Sequence, residues 1–245
     1  MTKAFLLAAG LGTRLRPLTD HTPKCLVPIH GEPLLSIWLS FCERAGVNEV
    51  LINTHHLAGM VNEWAKSQKS LVRIRLFHER ELLGSGGTIA ANRDFVGDNE
   101  DFYVFYADNL VSTDLAGIRK LHASHSGVLT IGLFRSPKPQ DCGVVTLNPM
   151  GKVLEFEEKP PCPKSNLASA GVFIARRSLF DYLHEGRFAD LGKDVLPALA
   201  GRMWGQVLDG FMLDIGTREN YEKALLEWPR VAAGTAPGGK EGFRF

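Results

Sequence analysis

Short apolar runs alternate with longer amphipathic stretches through the first half of the chain. Ala4–Ala9 is an unbroken apolar run and predicts a strand buried on both faces. Glu49–Asn53 and Val72–His78 read as further strands, and Phe102–Tyr106 is a dense aromatic and β-branched run. Val128–Phe134 closes the series. Between them the apolar spacing lengthens to a helical period over Leu34–Ala45, Leu57–Lys69, Thr88–Phe95 and Leu115–His125. Strand-helix alternation of this kind implies right-handed crossovers, so the expected fold class is α/β: a Rossmann-like, mainly parallel sheet flanked by helices.

The rhythm changes after Ser136-Pro137-Lys138-Pro139. Gly143–Leu147, Lys152–Phe156 and Ser169–Ala175 are strand-like with no long helix between them, and Asn148-Pro149-Met150-Gly151 carries turn chemistry. These predict a small antiparallel β insertion over the carboxyl ends of the main strands. Helical pieces near Ser178–His184 and Gly192–Leu199 follow, then a strand near Gln206–Leu208 and a helix over Arg218–Trp228. The expected organisation is one domain over 1–228, in two parts at 1–135 and 136–228. Residues 229–245, rich in Gly, Ala and Pro, read as a disordered tail.

The break in the first strand brings in chemistry. Gly10 and Gly12 are followed by Arg14, Arg16 and, after Pro23, Lys24. Glycines let backbone approach a ligand, exposed N–H groups form an anion-binding concavity, and the cations match phosphate oxygens. The loop ends in neither Gly-Lys-Ser/Thr nor a third glycine, which excludes the Walker and dinucleotide patterns. In open α/β sheets ligands sit beyond the carboxyl ends of the strands. Asp108 follows the run Phe102–Tyr106, and Asp214 follows Phe211-Met212-Leu213, so both stand where carboxylates could hold Mg²⁺. Asp214 could equally cap the last helix. Gly84-Ser85-Gly86-Gly87 is a second glycine loop before a helix. Glu158-Lys159 reads equally as a solvated charge pair, and Asn166–Gly171 could face a sugar.

Composition narrows the field. A net charge of +1 gives no global field for nucleic acid, and no apolar run spans a bilayer. Met1-Thr2-Lys3 leads straight into a strand, leaving no room for a signal peptide, and the scattered Cys25, Cys42, Cys142 and Cys162 fit a reducing cytoplasm. His122 and His125 stand at helical spacing and read as a solvated face.

Taken in order, Leu6-Leu7-Ala8-Ala9-Gly10-Leu11-Gly12-Thr13-Arg14 with Pro23-Lys24, then Tyr106-Ala107-Asp108, Glu158-Lys159-Pro160, Ala170-Gly171 and Asp214-Ile215-Gly216-Thr217, resemble the sugar-1-phosphate nucleotidyltransferases. The likeness runs from Lys3 to about Glu227 and is nearest the short mannose and manno-heptose 1-phosphate guanylyltransferases. It implies a nucleoside triphosphate and a sugar 1-phosphate as partners, Mg²⁺ as cofactor, and a possible homodimer. By this resemblance Leu7, Ala8, Ala9, Gly10, Gly12 and Thr13 would hold the nucleotide, with Gly84, Gly86 and Gly87 by the base. Arg14 and Lys24 would activate its phosphates. Asn109, Glu158, Lys159, Ala170 and Gly171 would meet the sugar phosphate, and Asp108 and Asp214 the metal. Cys25 and Tyr106 depart from the usual pattern without removing a charge. The expected reaction joins NTP and sugar 1-phosphate into an NDP-sugar, with GTP favoured and a uridylyl- or thymidylyltransferase as the alternative. A non-catalytic NDP-sugar-binding regulatory protein is the rival of another class.

Overall fold

The computed structural model describes residues 1–98 and 101–232. The fold is α/β and Rossmann-like, with a large central sheet flanked by helices. It divides into two compact units built from interleaved stretches of chain. Of the described residues, the first takes Met1–Phe5 and those within Glu81–Phe105 and Leu115–Leu208; the second takes Leu6–Arg80, Tyr106–Asp114 and those from Asp209 onward.

The first unit is organised on the ten-residue strand Leu167–Arg176. It pairs antiparallel with Asp101–Tyr106 through Phe173↔Val104 and with Leu129–Arg135 through Ile174↔Thr130. Gly143–Leu147 joins it at Ala168↔Val144 and pairs in turn with Val153–Glu158. The antiparallel strands expected after residue 142 are therefore present, but they continue the main sheet rather than forming a layer of their own. The physical reason is burial: Ala168 through Ala175 carries six buried apolar side chains, enough to occupy an interior position. Met203–Val207 pairs parallel with Leu129–Arg135. Aromatic residues fill the core, with Phe5 edge-on to Phe95 at 5.2 Å and to Phe102 at 5.7 Å.

His122 and His125 do not form a solvated face. His122 is 3% exposed, and both imidazoles reach Thr130 Oγ1, at 2.7 and 2.9 Å. His125 also stacks on Trp204 with centroids 4.1 Å apart. The helix Ala116–Ala123 turns His122 inward, while His125 lies beyond the helix end and packs on Trp204. Burial, reinforced by His122 and Arg176, pushes the His125 pKa down to about 4. Histidine in the unfolded chain titrates near 6.5. Between those values the unfolded chain binds a proton that the folded one refuses, so this contribution to stability falls as pH drops from 6.5 toward 4. The urea midpoint should be lower near pH 5 than near pH 7, and His125→Gln should flatten the difference; an unaltered pH dependence in the variant contradicts this assignment.

In the second unit Glu49–Thr54 and Arg73–His78 pair parallel in the register Val50↔Ile74. The helix Leu34–Arg44 buries Leu34, Leu35, Ile37, Trp38, Leu39 and Phe41 on the apolar stripe seen in the sequence. A two-stranded antiparallel ribbon, Asn109–Thr113 with Gly210–Asp214, pairs Asp214 with Asn109. The helix Arg218–Ala232 runs past Trp228, and Tyr221 donates to the Pro28 carbonyl at 2.7 Å. The rest of the expected tail lies outside the described residues. Among these residues no helix is long and apolar enough to cross a membrane.

Candidate active site

The glycine loop expected to hold phosphates begins where the strand Lys3–Leu7 ends, and it lies in the second unit. Gly12 adopts φ 64°, a left-handed conformation that favours glycine, and opens the single turn Thr13–Leu15. A Cβ at Gly12 would stand 3.0 Å from both Lys24 Cβ and Thr19 Cγ2. Thr19 Oγ1 donates to the Gly12 carbonyl at 2.8 Å, tying the loop to the segment that carries Lys24.

Lys24 is the pivot of this unit. Its side chain is only 6% exposed, yet Nζ lies 2.9 Å from Asp108 Oδ2 and 3.8 Å from Asp214 Oδ1. The second carboxylate arrives through the ribbon, because pairing Asp214 with Asn109 sets it beside the residue that follows Asp108. Helix capping falls instead to Thr217, whose Oγ1 accepts from Asn220 N at 3.2 Å. Asp214 Oδ1 accepts from Gly216 N at 2.7 Å, which fixes its rotamer. A Cβ at Gly216 would meet Asp214 Oδ1 at 2.8 Å, Arg14 Nη2 at 2.9 Å and Lys24 Nζ at 3.2 Å. Arg14, Lys24, Asp108 and Asp214 are thus one cluster of two cations and two carboxylates, packed against a glycine.

The cluster's donor chemistry is that of a hard cation. Among the described residues no group of three or more His, Cys, Asp or Glu side chains converges as a protein-only cage. Two half-exposed carboxylates on one ammonium suit an ion that keeps water and phosphate oxygens as its remaining ligands.

Glu158, Lys159, Ala170, Gly171 and the glycines Gly84, Gly86 and Gly87 belong to the first unit, while Asn109 lies in the second. Glu158 ends the strand Val153–Glu158 and is half-buried; desolvation, with Asp190 adding to it, raises its pKa against the pull of Lys159 and Lys193. Lys159 has φ 50°, and its amide donates to the Cys142 carbonyl at 2.9 Å. Ala170 and Gly171 lie where the register with Leu129–Arg135 shifts, and Gly171 has φ 68°. The glycine loop is explained by packing within its own unit. Gly86 N and Gly87 N donate to the Ala189 carbonyl at 2.8 and 3.1 Å. A Cβ at Gly87 would stand 2.8 Å from the Arg187 carbonyl oxygen, and one at Gly84, where φ is 75°, would overlap the Ala189 carbonyl. Gly84→Ala should therefore cost about 3 kcal/mol in chemical denaturation; a loss under about 1 kcal/mol would show that the segment Arg187–Ala189 yields freely. Ser85 ties the loop to the turn Leu191–Val195, donating to Asp190 Oδ2 at 3.2 Å and accepting from Leu191 N at 2.7 Å. That turn approaches Glu158, since a Cβ at Gly192 would meet Glu158 Oε2 at 2.7 Å.

A model of the nucleotidyl transferase family matches residues 3–229. The chain belongs to that family. Nucleotidyltransferases of this family generally use a divalent metal ion, in keeping with the paired carboxylates. Among relatives, the chain is 32% identical over 225 residues to the mannose-1-phosphate guanylyltransferase catalytic subunit beta of Xenopus tropicalis, covering 89% of this chain and 62% of that protein. It is 31% identical over 230 residues to mannose-1-phosphate guanylyltransferase 1 of Arabidopsis thaliana, covering 91% and 63%. The chain thus spans under two thirds of the length of these relatives. Among solved structures, HddC from Yersinia pseudotuberculosis complexed with GMP-PN superposes with a TM-score of 0.76 at 24% identity, covering 93% of this chain and all of that one. A UDP-glucose pyrophosphorylase from Acinetobacter baumannii gives 0.79 at 22% identity, covering 94% of each chain. These two share the fold.

Two residues of the second unit escaped the sequence reading. Asn53 and Glu79 are 5% and 2% exposed and joined by a hydrogen bond from Asn53 Nδ2 to Glu79 Oε1 at 2.8 Å. Both stand at the carboxyl ends of apolar or alternating strands, the same signal that singled out Asp108 and Asp214.

Proposed function

We propose that this protein transfers a nucleotidyl group from a nucleoside triphosphate to a sugar 1-phosphate, releasing pyrophosphate, with GTP and mannose or manno-heptose 1-phosphate as the substrates. The observation that carries this reading is the buried Lys24 ammonium shared by Asp108 and Asp214 beside Arg14. Arg14 and Lys24 hold the triphosphate and offset the charge that gathers on the leaving pyrophosphate. Asp108 and Asp214 would hold Mg²⁺. When bound, that ion supplies charge neutralisation at the α-phosphate and the attacking oxygen. The nucleophile is a phosphate oxygen of the sugar 1-phosphate, already anionic near neutral pH. It forms a new P–O bond to the α-phosphorus as the bond to pyrophosphate breaks. No side chain has to remove a proton, so positioning and electrostatics are the protein's task. Glu158, Lys159, Ala170, Gly171 and Asn109 are assigned to the sugar phosphate. Assigning the base to Gly84, Gly86 and Gly87 rests on the resemblance, since packing already accounts for those glycines.

The names of the relatives support GTP and mannose 1-phosphate. The test is a panel of GTP, ATP, UTP, CTP and dTTP against glucose, mannose and manno-heptose 1-phosphates, scored by pyrophosphate release with Mg²⁺. GTP with a manno-configured sugar should give the highest kcat/KM. A preference for UTP or dTTP would overturn the base assignment, and binding of an NDP-sugar without turnover of any pair would favour a regulatory protein.

A further inference from the structure

The strand Lys3–Leu7 hands the chain to the phosphate loop through a single peptide unit, Leu7–Ala8, and both polar atoms of that unit are tied down. Its carbonyl, on Leu7, accepts from Ala107 N at 3.1 Å. Its N–H, on Ala8, donates to Asn53 Oδ1 at 2.7 Å. Ala107 precedes the metal carboxylate Asp108, and Ala8 begins the loop that ends in Arg14. One peptide therefore references both halves of the charge cluster to each other.

Behind it runs a buried chain of polar groups. Asn53 presents its carbonyl oxygen to Ala8 N, so its amide nitrogen faces Glu79, where it donates to Oε1 at 2.8 Å. The two contacts together admit only one orientation of the Asn53 amide. Glu79 is held by its own backbone: its N–H donates to the Thr54 carbonyl at 2.8 Å, and its carbonyl meets His55 Nδ1 at 2.8 Å. A nearly fully buried carboxylate is costly unless hydrogen-bonded, and an apolar pair would fill the same space without that cost. What an apolar pair cannot do is grip an amide at the mouth of the first strand.

We propose that Asn53 and Glu79 are positioning residues for the transfer reaction: Glu79 orients Asn53, and Asn53 fixes the Leu7–Ala8 peptide, which aims the phosphate loop at the cluster of Arg14, Lys24, Asp108 and Asp214. This rests on the nucleotidyl-transfer reading above. Neither side chain has to touch substrate. Their effect is on the angle at which the loop leaves the strand, so it falls on nucleotide binding and on alignment.

The test uses an inverted hydrogen bond. Asn53→Asp keeps an oxygen for Ala8 N but turns a second carboxylate toward Glu79. Glu79→Gln alone still accepts from Asn53 Nδ2. In the double variant Gln at 79 donates to Asp at 53, so the bond between the two side chains is restored with its direction reversed while Ala8 N–H still donates to position 53. Steady-state kinetics with Mg·GTP and mannose 1-phosphate, or the pair that the panel selects, should show Asn53→Asp raising KM for the nucleotide at least about tenfold. Glu79→Gln and the double variant should stay within about threefold of wild type. Thermal unfolding of all three is measured alongside. A folded Asn53→Asp protein with wild-type KM and kcat overturns the inference. So does a double variant that regains its melting temperature without regaining nucleotide KM, which would make the pair a structural contact only. If wild type turns over no substrate pair, the functional reading fails instead, and the two failures are distinct.

Discussion

Lys24→Ala should lower kcat/KM by about a thousandfold while leaving the protein folded. The ammonium sits 2.9 Å from one carboxylate and 3.8 Å from the other, with the guanidinium of Arg14 packed against the same glycine. In the proposed reaction, removing it takes away a preorganised cation from where charge would develop on the departing pyrophosphate. One such electrostatic contact is worth about 3 kcal/mol in the barrier, roughly a hundredfold. Lys24 has the further effect of holding two like charges together, which brings the total to ~4 kcal/mol. The stability loss should be small, about 1 kcal/mol, because both aspartates are near half-exposed and water can screen them once the lysine is gone. Lys24→Arg should not rescue. The wider guanidinium has to enter a slot beside Gly12 and Gly216, so tight that a Cβ added at Gly12 would stand 3.0 Å from Lys24 Cβ and one at Gly216 3.2 Å from its Nζ. Steady-state kinetics with a urea melt of each variant checks this, and a folded Lys24→Ala protein with a rate within tenfold of wild type refutes it.

The second large effect is at Asp108. Asp108→Asn keeps the shape and the hydrogen-bonding oxygen but removes the charge, so the ribbon and the Ala107–Leu7 bond should persist. With a side chain 43% exposed, the ion pair to Lys24 contributes little to folding. Turnover, by contrast, should drop by about a hundredfold, ~3 kcal/mol, because a neutral amide is a poor ligand for a hard dication. Binding of Mn²⁺, followed by its paramagnetic effect on water relaxation in the presence of nucleotide, should weaken in parallel. A variant that loses activity but binds Mn²⁺ as wild type does would separate Asp108 from the metal.

Much of this site was legible because its signals are local. Glycines before a run of cations, and carboxylates at the ends of apolar runs, follow from what a phosphate and a metal require. What the sequence could not show was how those pieces meet. The ribbon that seats Asp214 beside Asp108 is made of two five-residue strands far apart in the chain, too short for a periodic signal to declare their pairing. The Asn53–Glu79 chain is similarly non-local, joining the ends of two strands whose apolar residues drew the attention. The glycine loop at 84–87 carries two readings that the sequence does not separate. A missing Cβ marks a close approach, but it does not say whether the neighbour is a ligand or the protein's own backbone, and here Arg187–Ala189 takes the space. The histidine pair reads as solvated because spacing does not show tertiary packing, which brings both rings onto Thr130.

The central claim is that the sugar phosphate itself attacks the α-phosphorus, with Arg14, Lys24, Asp108 and Asp214 stabilising the transfer. The direct measurement is a phosphorus NMR time course of wild-type protein with Mg²⁺, GTP and mannose 1-phosphate whose non-bridging phosphate oxygens carry heavy oxygen. The account predicts equimolar GDP-sugar and pyrophosphate, with all of the label in the GDP-sugar. Label in the pyrophosphate, or binding of GDP-mannose with no pyrophosphate formed from any pair of substrates, would contradict it.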